Sequence, residues 1–323
     1  MTDDGSANRS ATRITLRRSI GRLAGAVGVL WGTVTLTFLF TKLMRTDPVL
    51  AILGGAGAKP SPEQIAAART EFGLDRPVLI QYLDYLSGLV RGDLGTSYVR
   101  KQPVVELILA QIGPTVTLTA ASLVAAWVVA VGVTLLTAQR GRVLSAIGSA
   151  LETFLAALPQ YWLGIMLLVV FAFTLHWLPV VGDGPVGLVL PALTLALPLA
   201  GFLGQVTRDE FASALEQPFA VSARARGMSD WGVRWRHALR HAVLPGLTLS
   251  GWALGSLFST AVIVESIFVR PGLGRMLVDA VVSHDLPVVI GVTLFVAAVY
   301  VLANLAVNVA FGRIDPRLRV ATR

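Results

Sequence analysis

The sequence predicts an all-α integral membrane protein with six transmembrane helices and a small helical insert outside the membrane. Composition points there first: of 323 residues, 54% are hydrophobic and 14% charged, and the mean hydropathy is +0.69. A soluble domain carries about a quarter charged residues. The second observation is a set of windows without Asp, Glu, Lys, Arg or His, at 23–41, 107–139, 153–175, 184–207, 242–264 and 286–312. Crossing the hydrocarbon core takes about 20 apolar residues. Lipid obliges each backbone amide to bond within its own segment, which makes such windows helices. The third observation is that the basic residues gather in alternate connections.

In chain order the predicted spans are 23–44, 107–139, 150–175, 186–207, 245–266 and 286–312, all within one domain of 1–323. Arg9, Arg13, Arg17, Arg18 and Arg22 before the first span resemble the start of a secretory signal. However, its 19 charge-free residues exceed a usual signal core, and no A-x-A-like site follows around Leu43–Val49. The segment therefore reads as a retained helix.

Residues 46–105 form the insert. Ser61-Pro62-Glu63-Gln64 carries the signature of a helix start, with an N-cap, a proline at the first helical position and acidic or amide residues in the first turn. That helix continues to Phe72, and Gly73 stops it. A second helix, Val78 to Val90, places Leu79, Tyr82, Leu83 and Leu86 on one face. Gly92-Asp93-Leu94-Gly95 turns the chain back. Two roles are open to the insert, a cap over helix ends or a contact surface for an external partner.

Orientation follows from the arginines. Arg140 and Arg142, then Arg208, Arg224, Arg226, Arg234, Arg236 and Arg240, then Arg313, Arg317, Arg319 and Arg323 fall on the same side as the amino-terminal five. That side holds 17 of the 27 Lys and Arg. Positive residues mark the cytoplasmic face, so both termini and the 209–244 connection are expected inside. The net charge of +8 then suits anionic lipid headgroups. Nucleic acid fits poorly, because the basic residues are spread over four connections and no nucleic-acid module is present.

The search for chemistry returns absences. No cysteine is present, which excludes disulfides and thiolate metal sites. Gly54 to Pro60 resembles a phosphate loop, but Ala58 replaces the glycine before Lys59 and Pro60 replaces the Ser/Thr that would hold magnesium. Neither H-E-x-x-H nor G-x-S-x-G occurs, and no catalytic residue is assigned. His237 and His241 have a metal-like spacing, but Arg234, Arg236 and Arg240 around them repel a second cation. An ion-coupled carrier keeps ionisable residues at mid-membrane depth, and the six windows hold none. Gln205 and Asn304 are the polar pathway candidates. Glu265, at the outer end of the fifth span, is either the lid of a pathway or a cap bonded to loop backbone. If the protein moves a solute, the energy is expected from another chain.

The 209–244 connection is the most informative stretch. Pro218 can open a short helix, Arg224 and Arg226 lie in its last turn, and Gly227 ends it, in agreement with the helix dipole. At about 1.5 Å per residue this is a rod roughly 13 Å long, enough to enter a groove. Ser229 can cap a second helix with Trp231, Trp235, Ala238, Leu239 and Ala242 on an apolar face. Its opposite face carries Arg234, His237, Arg240 and His241, and Pro245 is expected to end it before the fifth span. The stretch is a docking surface for a cytoplasmic partner, or an amphipathic helix lying on lipid.

Ser222-Ala223-Arg224-Ala225-Arg226-Gly227, followed by a basic helix and Leu244-Pro245, resembles the cytoplasmic EAA loop of type I ABC importer permeases of the dipeptide/oligopeptide/nickel class. The resemblance covers nearly the whole chain. It takes in Asp47-Pro48, Phe72-Gly73-Leu74-Asp75-Arg76-Pro77, Gln81-Tyr82, Arg91-Gly92-Asp93-Leu94-Gly95, Leu190-Pro191-Ala192-Leu193-Thr194, Glu265 to Gly274 (ESIFVRPGLG) and Ile314-Asp315-Pro316-Arg317. The departures are Thr46 where that class has glycine, a charged Arg270, and a longer leader before Ile14.

The resemblance implies the transmembrane subunit of an ATP-driven importer in a bacterial inner membrane, itself not an enzyme. Its implied partners are a homologous second permease, two cytoplasmic ATPase subunits that use ATP and magnesium, an external solute-binding protein and membrane lipid. No cofactor is expected on this chain. Residues 222–227 would couple to the ATPase, and the spacing from Gly227 to Pro245 favours peptide or nickel over sugar. A nickel or metal-chelate permease is the nearest alternative. An ion-coupled carrier and a membrane scaffold are the alternatives of another class.

Overall fold

The computed structural model describes residues 4–43, 49, 52–54, 59–182 and 184–314, with side chains at 21, at 24–43 and thereafter through 302. Asp47-Pro48, positions 55–58 of the phosphate-loop look-alike, the Asn304 side chain and residues 315–323 lie outside the described residues. Among the described residues every regular element is a helix, and the one β-contact is an isolated bridge between Thr96 and Pro103. The chain divides into two compact units, residues 1–108 with 279–301, and residues 109–278 with 302–323.

The first unit contains α1 (Asp4–Leu43), α2 (Pro62–Glu71), α3 (Val78–Val90) and the start of α11 (Leu286–Ile314). The start of α2 is a full capping box: the Gln64 amide donates to Ser61 Oγ at 3.3 Å, and the Ser61 amide donates to Gln64 Oε1 at 2.9 Å. Gly73, at φ +62°, ends the turn that follows. The unit's core joins Val34 and Phe38 of α1 to Leu286 and Ile290 of α11, with Tyr82, Tyr85, Leu86 and Leu89 of α3 packed against them. This corrects the expected face of α3, because Leu79 and Leu83 are 67% and 54% exposed. Tyr82 turns inward because it brings ring area and a hydroxyl together. Tyr82 lies 5.3 Å from the Phe38 ring and 2.7 Å from the Thr35 hydroxyl. Asp285, 2% exposed just before α11, accepts hydrogen bonds from the Ser97 hydroxyl and from the amides of Tyr98 (3.0 Å) and Val99 (3.3 Å).

The second unit is built from most of α4 (Val104–Thr137) with α5 (Arg142–Ala157), α6 (Gln160–Thr174), α7 (Gly184–Glu216), α8 (Pro218–Ala225), α9 (Asp230–Ile267) and α10 (Leu273–Val282). The expected third span is not one rod, since α5 and α6 meet at 102°. Pro159 removes a backbone donor there, and Leu158 takes the extended conformation favoured before proline (φ −69°, ψ 126°). Pro245, by contrast, does not end a helix. The helix runs from Asp230 to Ile267, with a π-helical turn at Arg234–Ala238. Membrane helices tolerate an internal proline in this way.

Among the described residues four helices are long and apolar enough to cross a membrane, or five if the bent α5–α6 pair counts as one span. In α11 the apolar stretch with described side chains is Leu286–Leu302, while the helix itself continues to Ile314. Leu118 of α4, Leu168 of α6, Leu190 and Leu195 of α7, and Leu257 and Val264 of α9 share one buried cluster.

Glycine sets the closest approach. A Cβ on Gly201 of α7 would lie 2.4 Å from the Ala156 amide nitrogen and 2.5 Å from the Glu152 carbonyl, so the two backbones touch. About two turns on, Arg208 donates to Glu152 at 2.6 and 2.8 Å and to the Thr137 hydroxyl at 2.6 Å. A Cβ on Gly148 would lie 2.0 Å from that Thr137 oxygen and 2.3 Å from Arg208 Nη2, so the absent side chain makes room for the ion pair.

Candidate functional site

Helix α8 is eight residues long and has two faces. Ala220 and Ala223, 0% and 1% exposed, pack into a cluster with Leu135 and Ala138, with Phe211 and Leu215 of α7, and with Val233, Ala238 and Ala242 of α9. The other face presents Val221, Ser222, Arg224, Ala225 and Arg226 to the outside. Alanines 220 and 223 let the helix lie close to its base, and the exposed side carries the charge.

The helix ends as the sequence suggested. The Gly227 amide donates to Arg224 O (2.9 Å), the Met228 amide donates to Ala223 O (3.1 Å), and Gly227 sits at φ +84°. These paired bonds form a Schellman stop, whose left-handed residue is normally glycine. Arg224 donates to Leu215 O at 3.2 Å and lies 3.6 Å from Asp230. Phe219 stacks on His241, ring centroids 4.9 Å apart, with His237 at 6.3 Å. Among the described residues no group of three His, Cys, Asp or Glu could hold a metal.

The second helix of the connection is capped by Ser229, whose hydroxyl accepts from the Gly232 amide at 3.2 Å. Ala238 and Ala242 are buried and Arg240 and His241 exposed, as the expected faces require, but three residues depart from them. Trp231 and Trp235 are 48% and 55% exposed, whereas Arg234 is 2% exposed. Arg234 turns inward because carbonyls at the end of α4 need donors. It bonds Ala138 O at 2.7 Å, Gln139 O at 3.2 Å and Leu135 O at 3.4 Å, and its Nε bonds Asp230 at 2.7 Å. The reading of Arg234 as an outward residue is overturned.

The pathway candidates fall in different surroundings. Gln205 is half-buried on α7. Glu265 is fully buried and accepts from the Thr115 hydroxyl (2.6 Å) and the amides of Gly274 (2.7 Å) and Arg275 (3.2 Å), while Thr115 also accepts from the Leu273 amide (2.9 Å). Of the two roles left open for it, this geometry is that of the loop cap. Gly272 lies directly over the carboxylate, where a Cβ would come within 2.1 Å.

Sequence reasoning missed Arg234, Asp285 and the Arg208–Glu152 pair. One local signal existed for Arg234, an aspartate four residues earlier on the same helix. Glu152 appeared only as the charge that closed an apolar window, and Arg208 only as a window end and one of the arginines that set orientation.

The fold is that of a multi-pass helical membrane protein whose basic 209–244 connection carries a short helix with an exposed, charged face. The comparisons give the family: this chain belongs to the binding-protein-dependent transport system inner membrane components. Residues 122–320 match that family and residues 13–119 match its N-terminal region. The glutathione transport system permease protein GsiC of Salmonella choleraesuis (strain SC-B67) is 35% identical over 302 residues, covering 92% of this chain and 97% of that protein. A putative peptide transport system permease protein of Brucella abortus (strain 2308) is 36% identical over 310 residues, with the same coverage. A crystal structure of an amino acid ABC transporter with histidines matches 66% of this chain and 94% of that chain, at 15% identity and a TM-score of 0.47. The chain is therefore a transmembrane subunit of an ABC importer, a permease and not an enzyme, in a system whose ATPase resides in separate subunits.

Proposed function

We propose that this permease serves short peptides and that α8 with Gly227 is its docking element for an ATPase subunit. The peptide assignment is supported by the relatives, which carry peptide and glutathione transport names. The docking assignment is carried by one observation: α8 is anchored through Ala220 and Ala223 while Ser222, Arg224 and Arg226 remain outside. Residues 209–244 and both termini are assigned to the cytoplasm, and 46–105 to the outer face, where a solute-binding protein delivers cargo. A homologous permease completes the pathway, with Gln205 and Asn304 as its candidate contacts on this chain. ATP and magnesium act on the partner subunits. ATP-driven closure of those subunits would shift α8 and tilt the spans between inward and outward access.

The test uses the full importer in vesicles. Arg224→Glu with Arg226→Glu should reduce ATPase co-purification, because both charges on the exposed face reverse. Gly227→Asp places a non-glycine residue at φ +84°, a cost of about 1–2 kcal/mol, and should separate hydrolysis from uptake while the chain still inserts. Labelled di- and tripeptides, with nickel in parallel, identify the solute. Unchanged ATPase retention and uptake in all these variants would favour a lipid-surface role for α8.

A further inference from the structure

We infer that Arg234 is a positioning residue that fastens the ATPase-facing helix α8 to the end of the membrane helix α4, so that the two shift as one body. The inference rests on the docking role of α8 and adds the route by which movement there reaches a span.

The fastening can be followed bond by bond. Arg224 on α8 lies 3.6 Å from Asp230. The other carboxylate oxygen of Asp230 accepts from Arg234 Nε at 2.7 Å. Arg234 Nη1 and Nη2 donate to the carbonyls of Leu135, Ala138 and Gln139, which close α4. Its guanidinium also lies 5.6 Å from the Phe211 ring of α7. The last carbonyls of a helix have no partner within it, and a cation there also meets the negative end of the dipole. Only a planar fork reaches a carboxylate and three carbonyls together, so lysine is a poor substitute. Around this bonded chain, Ala220 and Ala223 of α8 share one apolar cluster with Leu135 and Ala138.

Position 234 is thus the joint at which an exposed surface is tied to a buried helix end. Asp230, 56% exposed at its side chain, relays the tie without taking part in the core.

The experiment compares Arg234→Lys and Asp230→Asn with the unaltered permease, each in the complete importer reconstituted in vesicles. Three quantities are read: ATPase co-purification, ATP hydrolysis, and labelled peptide imported per ATP hydrolysed. Both variants should retain the ATPase subunits and hydrolysis, since the exposed face of α8 is unchanged. Peptide per ATP should fall roughly fivefold or more. A fall in hydrolysis and uptake together, at an unchanged ratio, would reduce Arg234 to an ordinary helix cap and overturn the inference. Should Arg234→Lys fail to fold, Asp230→Asn decides alone, because its carboxylate lies outside the core. Failure of the docking role has a different signature: ATPase retention indifferent to charge reversal at Arg224 and Arg226.

Discussion

Arg208 and Glu152 form a two-point ion pair, at 2.6 and 2.8 Å, with side chains only 10% and 2% exposed. The pair holds α7 against α5, and Thr137 takes a further guanidinium hydrogen at 2.6 Å. Buried charges repay their desolvation only when geometry and remaining hydrogen bonds are good. Glycines at 148 and 204 create that geometry, since a Cβ on Gly204 would lie 3.0 Å from the Glu152 side chain.

Removing one partner leaves the other charged and enclosed. Glu152→Ala or Arg208→Met should each destabilise the protein by about 3–5 kcal/mol. The double change Glu152→Met with Arg208→Met should recover most of that loss, because no unpaired charge remains. Unfolding in mild detergent, followed by tryptophan fluorescence, measures all three. Equal losses in the single and double variants would mean that packing volume matters here more than charge.

Asp285 organises the turn at 96–103 through three donors. Asp285→Asn replaces one acceptor oxygen by an amide that confronts N–H and O–H groups. Hydrogen bonds to a charged acceptor contribute about 1.5–3 kcal/mol each. The Tyr98 and Val99 amides should therefore exchange with solvent roughly 10- to 100-fold faster. Hydrogen exchange on the detergent-solubilised chain checks this. Unchanged protection at both amides would place the stability of the turn in its backbone contacts instead.

The absence of cysteine makes topology easy to read. Ala66→Cys on exposed α2 should react with a membrane-impermeant thiol reagent in intact cells. Ser213→Cys on the exposed side of α7 should react only after lysis. The reverse pattern would invert the proposed orientation.

Local signals were legible in the sequence. The Ser61 N-cap and the stop at Gly227 depend on neighbours within a few residues, and the structure has both. The misread features depend on distant partners. Arg234 answers carbonyls 95 to 99 residues away, so on a helical wheel it appeared as one more outward cation. On α3, Tyr82 and Leu86 fit either of two adjacent stripes, and the choice was made by Phe38 and Thr35 on another helix. The prolines were ambiguous for a related reason. Pro159 follows an extended residue and bends the chain, whereas Pro245 stays within a continuous helix. The ends of α8 could be read directly, because Pro218 opens the helix and Gly227 closes it through local geometry.

Trp231 and Trp235 stand exposed a few residues beyond α8, with the Arg140 guanidinium 5.4 Å from the Trp231 ring. An indole emits at a wavelength that follows the polarity around it, so this pair acts as an intrinsic optical probe beside the proposed docking helix. Subtracting the signal of a Trp231→Phe, Trp235→Phe chain from that of the full set of seven tryptophans isolates it. The permease thus carries its own spectroscopic label where a partner would arrive, and engagement can be timed without attaching a dye.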